Sequence, residues 1–140
     1  MTDAVVFDRK FVIVLRDDML FWQKLNVTAF LTSGIVGARS EIIGEAYQDA
    51  AANSYYPLCI QPIVILSADR ETMATIHKRS LQRQVQSSLY IEEMFVTGDD
   101  VANRAVFAQY DPETANVVGI AIHADKKSVD KITKGAKMHP

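Results

Sequence analysis

The fold is decided by residues 10–36, a stretch that opens with Lys10-Phe11-Val12-Ile13-Val14-Leu15. This opening is apolar after Lys10 and rich in β-branched residues, a pattern typical of a strand covered on both faces. Arg16-Asp17-Asp18 ends it with charge. Residues 19–36 then lack proline, which favours a long helix. A strand, a charged turn and an apolar helix predict the start of an α/β domain.

The helix carries apolar residues on more than one side. One stripe at i, i+4 spacing consists of Phe21, Leu25 and Ala29. Three further apolar residues widen this stripe toward a second contact surface: Leu20, Val27 and Leu31. Because both sets are apolar, we expect a largely buried helix.

Three further segments predict strands at residues 60–66, 89–97 and 116–122. The strands at 10–16 and 60–66 show no alternation, so we expect them to be the best buried. Glu92 and Glu93 place the third strand at or near an edge. Gly119 within the fourth predicts the close approach of another element. Helices between the strands begin at caps such as Asp69 and Asp125.

These segments predict one domain over residues 1–140. We expect a three-layer α/β/α architecture, with about four strands in a single sheet and helices on both of its faces.

Composition excludes several classes of protein. The net charge of -2 argues against a general nucleic-acid binder, so RNA is a possible partner but not a favoured one. Cys59 is the only cysteine, which leaves no intrachain disulfide. Residues 1–10 are too acidic for a secretory signal, and no apolar run approaches the roughly 20 residues that span a bilayer. We therefore expect a cytoplasmic protein with no membrane partner.

Common cofactor and metal motifs are missing. His77, His123 and His139 are scattered without metal-ligand spacing, and no glycine-rich nucleotide loop is present. Ser33 is not in a GxSxG motif. We expect no metal and no cofactor.

The chain resembles the peptidyl-tRNA hydrolase II family at both of its ends. The similar segments are Phe11-Val12-Ile13-Val14-Leu15-Arg16-Asp17-Asp18-Met19 with Lys24, Asn116-Val117-Val118-Gly119-Ile120-Ala121-Ile122, and Val129-Asp130-Lys131-Ile132. It is more similar to an uncharacterised bacterial family with a peptidyl-tRNA hydrolase II-like fold, in Lys24-Leu25-Asn26-Val27 and in residues 44–57. The resemblance implies the same three-layer fold around a four-stranded mixed sheet.

The chain also departs from the hydrolase pattern. The family's Asp-Ala-Gly-x-Thr-Gln motif has no counterpart between Thr97 and Asn116. Only Arg16, Asp18 and Lys24 carry over, and of these only Lys24 is a candidate catalytic or ligand-binding group. The resemblance therefore implies the fold more strongly than the activity.

The candidate site lies between the start of the first helix and the polar, aromatic segment 47–56. Ligands of open α/β sheets bind beyond the carboxyl ends of strands, and Lys24 follows such an end. The proposed site residues are Lys24 for charge, Asp18 to orient it, Asp49 or Asn53 for hydrogen bonds, and Trp22 or Tyr55 for apolar cover. The alternatives make Lys24 a surface residue, Asp18 a helix cap, and the segment a plain loop or a dimer contact.

Two functions follow. The first is the binding of a small, unidentified molecule or a partner, with the hydrolase motif lost. The alternative is a hydrolase that uses Lys24 on an ester or amide, with peptidyl-tRNA as one candidate substrate. Apolar side chains at Leu20, Phe21 and Trp22 also predict a homodimer.

Overall fold

The computed structural model of the protein describes residues 5–140. Residues 1–10, which we expect not to be a secretory signal, lie partly outside this range. The strands are β1 (Arg9–Arg16), β2 (Tyr47–Gln48), β3 (Ser54–Tyr55), β4 (Ile63–Ala68), β5 (Ser88–Ile91), β6 (Val117–Asp125) and β7 (Lys137–Met138). The α-helices are α1 (Phe21–Ala38), α2 (Arg70–Gln82), α3 (Asp100–Phe107) and α4 (Lys126–Ile132). Two 3-10 helices span Ser40–Ile42 and Glu92–Val96.

Five strands form one mixed sheet in the order β5-β6-β1-β4-β7. β1 and β4 are parallel, and the other neighbours are antiparallel. All four predicted strands belong to this sheet, but the expected strand number is wrong because β7 also pairs with β4. β7 is two residues long, too short to show an apolar period in the sequence. β2 and β3 form a separate hairpin.

The strand predicted at residues 89–97 is a strand only in its first part. β5 ends at Ile91, and the following 3-10 helix carries Glu92 to Val96 out of the sheet. The Glu92 amide donates to the Asn116 carbonyl at 2.9 Å as the chain turns away. β5 is an edge strand, as predicted, although Glu92 and Glu93, on which the prediction rested, lie just beyond its end.

Helices cover both faces of the sheet. Met73 and Ile76 of α2 and Ile132 of α4 share one buried cluster with β1 and β6, and α1 shares a second cluster with the opposite face. α1 crosses β6 at Gly119, where a Cβ would lie 2.5 Å from the Val27 side chain. The predicted close approach at Gly119 is confirmed.

α1 is less buried than its composition predicted. Val27, Leu31 and Ile35 form the buried stripe, whereas Phe21 is 83% exposed and Leu25 is 73% exposed. Both stripes have i, i+4 spacing, so periodicity alone does not tell which of them faces the sheet. The expectation of a largely buried helix is wrong for the outer stripe.

β4 is only partly buried, so the expectation that it is one of the two best-buried strands is wrong. β6 is instead buried along nearly its whole length. The width of the helix layer explains this difference. Neighbouring strands lie about 4.8 Å apart, so five strands span roughly 19 Å. A helix with its side chains is about 10–12 Å wide. α1 lies over β6 and β5, with Gly34 against Ser88, and therefore leaves a strip uncovered along β4.

The helix caps follow the sequence. Asp69 and Asp125 accept hydrogen bonds from the backbone amides of Thr72 and Ser128, at 2.7 and 3.0 Å. Within residues 5–140, no helix has the length and apolar character needed to cross a membrane.

Candidate functional site

A cluster of four charges forms at the carboxyl end of β1. The buried guanidinium of Arg16 donates from Nε to Asp18 at 2.5 Å and from Nη2 to Glu92 at 3.3 Å. Arg70, the first residue of α2, lies 3.6 Å from Asp18 and 4.0 Å from Glu92. Asp18 thus pairs with arginines and does not cap α1, whose N-cap residue is Leu20.

Lys24 lies elsewhere, beside a shallow apolar depression of about 520 Å³. The depression is lined by Leu15, Phe21, Lys24, Leu25, Thr28, Ile65 and His139. None of the ion pairs within residues 5–140 includes Lys24. No residue of the segment 47–56 lines this depression, so Lys24 and the segment do not share it.

The polar residues of that segment bind one another within the β2–β3 hairpin. Asp49 accepts hydrogen bonds from the Asn53 side chain at 3.0 Å, from the Tyr55 hydroxyl at 2.7 Å and from the Ala51 amide at 2.9 Å. These bonds, that of Asn53 first, lower the pKa of Asp49 to about 2, and the same contact raises the pKa of Tyr55. The three predicted site residues therefore organise a tight turn.

Trp22 lines a different and larger space, a cavity of about 650 Å³ on the β5 side of α1. We call it the aromatic cavity, and its rings are Trp22, Phe30, Tyr90, Phe95 and Phe107. Trp22 meets Phe95 at 5.8 Å between ring centroids, Phe95 meets Tyr90 at 5.2 Å, and Tyr90 meets Phe30 at 5.9 Å. These four rings form a continuous apolar wall.

A few polar groups interrupt this wall. Asn26 and Asn103 reach it from α1 and α3. The Thr97 hydroxyl lies within hydrogen-bonding distance of the Asn103 side-chain amide and 2.8 Å from the Met94 carbonyl. Arg104 also lines the cavity, and its Nε donates to Asp100 at 2.7 Å.

α3 forms the outer wall of the aromatic cavity. Asp99 caps it by accepting from the Ala102 amide at 2.8 Å. None of its residues is fully buried, so the helix rests on the 3-10 helix Glu92–Val96 without a core of its own. A wall of this kind leaves the cavity accessible.

The sequence identified only part of this cavity. The sequence predicts Trp22 as a site residue, but as apolar cover for a site formed by Lys24 and residues 47–56. Asn26 and Phe30 follow Trp22 at i, i+4 spacing on α1, which is the signal for one shared face. Phe95 and Asn103 carried no signal, because neither the 3-10 helix nor the position of α3 follows from a periodic pattern.

His123 is held in a buried network at the other end of β1. Its Nδ1 accepts from the Arg9 Nε at 3.2 Å, and its Nε2 lies 3.0 Å from the Gln61 Oε1. Since arginine only donates, the neutral ring must carry its proton on Nε2. Burial, then the charges of Arg9 and Arg39, lowers the pKa of His123. Both ring nitrogens have protein partners, which favours a structural histidine.

Comparison with known proteins gives a family. Residues 9–140 match the family described as "Protein of unknown function (DUF2000)". A solved structure of a protein of unknown function from Agrobacterium tumefaciens is 61% identical, with a TM-score of 0.95, over 96% of this chain and 100% of that chain. A search of curated proteins gave no match. Since the family match spans nearly all of the sequence, the chain belongs to the DUF2000 family.

Proposed function

We propose that this protein binds a small aromatic molecule in the aromatic cavity and does not transform it. The observation that carries this proposal is a cavity of about 650 Å³ lined by five aromatic rings and a few polar side chains. Ligand sites typically measure roughly 300–1,000 Å³ and combine an apolar lining with a few polar groups that set orientation.

The lining indicates the class of ligand. Rings such as Trp22 and Phe107 favour an aromatic guest, because edge-to-face and offset contacts between rings add to apolar burial. Asn26 and Asn103 offer both donors and acceptors. We therefore expect a ligand with one or two rings and at least one hydrogen-bonding group.

The chemistry of the lining supports binding more than catalysis. The described residues that line the cavity include no histidine, cysteine or lysine, three of the groups used as nucleophile or base. The two aspartates of the lining are engaged within α3, Asp99 with the Ala102 amide and Asp100 with Arg104. The hydrolase motif is also absent from the sequence between Thr97 and Asn116.

The single tryptophan makes the proposal testable. Trp22 is 56% exposed, so a guest in the cavity should move its fluorescence emission to shorter wavelength. Titration with p-cresol should give a saturable shift. Phe107→Ala should weaken p-cresol binding by about fivefold, from the loss of one ring contact.

Phe21→Ala is the matched control. Phe21 lies next to Trp22 on α1 but lines the Lys24 depression, so its loss should leave the p-cresol affinity within about twofold. A saturable shift that Phe21→Ala abolishes and Phe107→Ala leaves unchanged would contradict the proposal.

A hydrolase that uses Lys24 is the alternative. It is favoured by a partly buried lysine that has no ion pair within residues 5–140 and lies beside an apolar depression. Purified protein should show no turnover of peptidyl-tRNA or p-nitrophenyl acetate above background. Turnover that Lys24→Met removes and Lys78→Met retains would establish the alternative instead.

We also propose that the scaffold is of the peptidyl-tRNA hydrolase II type. Support comes from the four predicted strands, which share one mixed sheet between helical layers. β7 is an addition to that arrangement.

We propose a cytoplasmic homodimer for the assembled state. The outer stripe of α1, with Phe21 and Leu25, faces the uncovered strip along β4 across the Lys24 depression. A second copy would bury this apolar surface, since exposed patches of this kind often mark interfaces. A lone free cysteine, Cys59, is in keeping with a reducing compartment.

A further inference from the structure

We propose that a second site, on the α2 side of the sheet, binds a small oxyanion through Arg16 and Arg70. The site is a cavity of about 200 Å³. Its lining includes Arg16, Arg70, His77, Glu113 and Asn116. It is separated by the sheet from the aromatic cavity, so this proposal does not depend on the first one.

The main observation is an unsatisfied nitrogen on a buried cation. The Arg16 side chain is 4% exposed, and two of its three nitrogens are used by Asp18 and Glu92. The third, Nη1, is buried and has no hydrogen-bond partner within residues 5–140. A buried donor without an acceptor is costly. An oxygen atom supplied by a ligand in the adjoining cavity would satisfy it.

The charge of the lining favours an anion. Arg16 and Arg70 contribute two guanidinium groups, against the single carboxylate of Glu113. The carboxylates of Asp18 and Glu92 bind Arg16 through its other nitrogens, and they also lie 3.6 and 4.0 Å from Arg70, but they do not line the cavity. Guanidinium groups bind carboxylate and phosphate oxygens with short, charge-assisted hydrogen bonds.

His77 and the size of the cavity limit which anions can bind. Burial lowers the pKa of His77, opposed by the charge of Glu113, so near neutral pH the imidazole donates or accepts without adding charge. At about 30 Å³ per water molecule, the cavity has room for roughly six or seven waters. That space suits inorganic phosphate or a small carboxylate such as acetate.

The position in the fold supports the same conclusion. Arg16 is the last residue of β1, and Arg70 follows the end of the parallel strand β4. Ligands of open α/β sheets bind beyond the carboxyl ends of such strands.

The test titrates the isotope-labelled protein with phosphate and with acetate, using chloride of matched ionic strength as the reference. Saturable movement of the Arg16 Nε–Hε resonance is expected with at least one of the two anions. The anion that binds more tightly shows whether the site prefers phosphate or carboxylate.

Two variants, one at the first residue of α2 and one directly after its last residue, complete the test. Arg70→Gln removes an exposed guanidinium from the lining and should weaken the anion by about tenfold or more. Arg83→Gln removes the same charge outside the cavity and should change affinity by less than about twofold. An Arg16 resonance that responds equally to chloride, or an affinity that Arg70→Gln leaves unchanged, would overturn the proposal; Nη1 would then be served by enclosed water alone.

Discussion

Trp22 and Phe95 meet edge to face, with ring centroids 5.8 Å apart and planes inclined at 71°. The contact joins α1 to the 3-10 helix Glu92–Val96, whose first residue reaches the guanidinium of Arg16 on the other side of the sheet. One short turn therefore supplies a wall of the aromatic cavity and a partner of the buried arginine. Glu92 and Phe95 reach these positions because the chain leaves the sheet after Ile91 and does not continue as a strand to residue 97.

Replacing Gly119 tests how closely α1 lies on the sheet. An alanine Cβ there would lie 2.5 Å from the Val27 Cγ1 and 2.9 Å from the Leu31 Cδ1, so Gly119→Ala should lower the free energy of unfolding by about 1–3 kcal/mol. Urea unfolding measures this change. Gly37→Ala, in α1 and with open space around it, should be neutral or stabilising by up to about 1 kcal/mol. Equal effects of both substitutions would contradict the packing described.

Acidification should destabilise the protein through His123. Because its pKa is lowered in the folded state, the folded chain resists a proton that the unfolded chain accepts near its ordinary pKa of 6.5. The contribution of neutral His123 to the free energy of unfolding should therefore be fully present above pH 6.5. It should decline as the pH falls below that value. Urea unfolding at a series of pH values measures the decline.

His123→Gln separates this effect from that of His77, whose pKa is also lowered by burial. Glutamine does not titrate, so the variant should lose less stability than the wild type between about pH 7 and pH 5. A wild type and a variant with parallel pH profiles would show that His123 contributes nothing to the decline.

Asp49 should remain ionised to unusually low pH. Its pKa is lowered to about 2, first by the Asn53 side chain and then by the Tyr55 hydroxyl. Titration of the carboxyl carbon by NMR measures this value directly. Asn53→Ala should raise the pKa toward its ordinary value of 3.8, and an unchanged pKa would mean that the hairpin bonds do not hold the carboxylate.

Leucine-to-glutamate substitutions test the proposed homodimer. Leu25→Glu places charge on the outer stripe of α1 and should convert a dimer to a folded monomer, as sedimentation velocity measures. Leu81→Glu, on α2 at a side chain that is 51% exposed, should leave the dimer intact. A wild type that is monomeric at every concentration would refute the dimer.

The sequence predicted the sheet well where burial leaves a pattern. The apolar runs of β1, β4 and β6, the aspartate caps and the glycine in β6 all carry local signals that the structure confirms. β7 is two residues long and was missed for that reason. The burial of β4 was overestimated because its apolar run does not record how many helices cover the sheet.

The candidate site was predicted only in part, because its members come together through tertiary packing. Trp22 lines the aromatic cavity, whereas Asp49, Asn53 and Tyr55 bind one another in the hairpin. Local hydrogen bonds of that kind are not visible as a sequence pattern. The roles proposed for Lys24 and Asp18 toward a ligand remain predictions, with Asp18 held by two arginines.

The most direct test of the central proposal maps where an aromatic guest binds. Isotope-labelled protein is titrated with p-cresol, and the backbone amide chemical shifts are followed. The largest changes should cluster at Asn26, Phe95 and Asn103 around the aromatic cavity. Changes confined to Lys24, Ile65 and His139, or no saturable change at any amide, would contradict it.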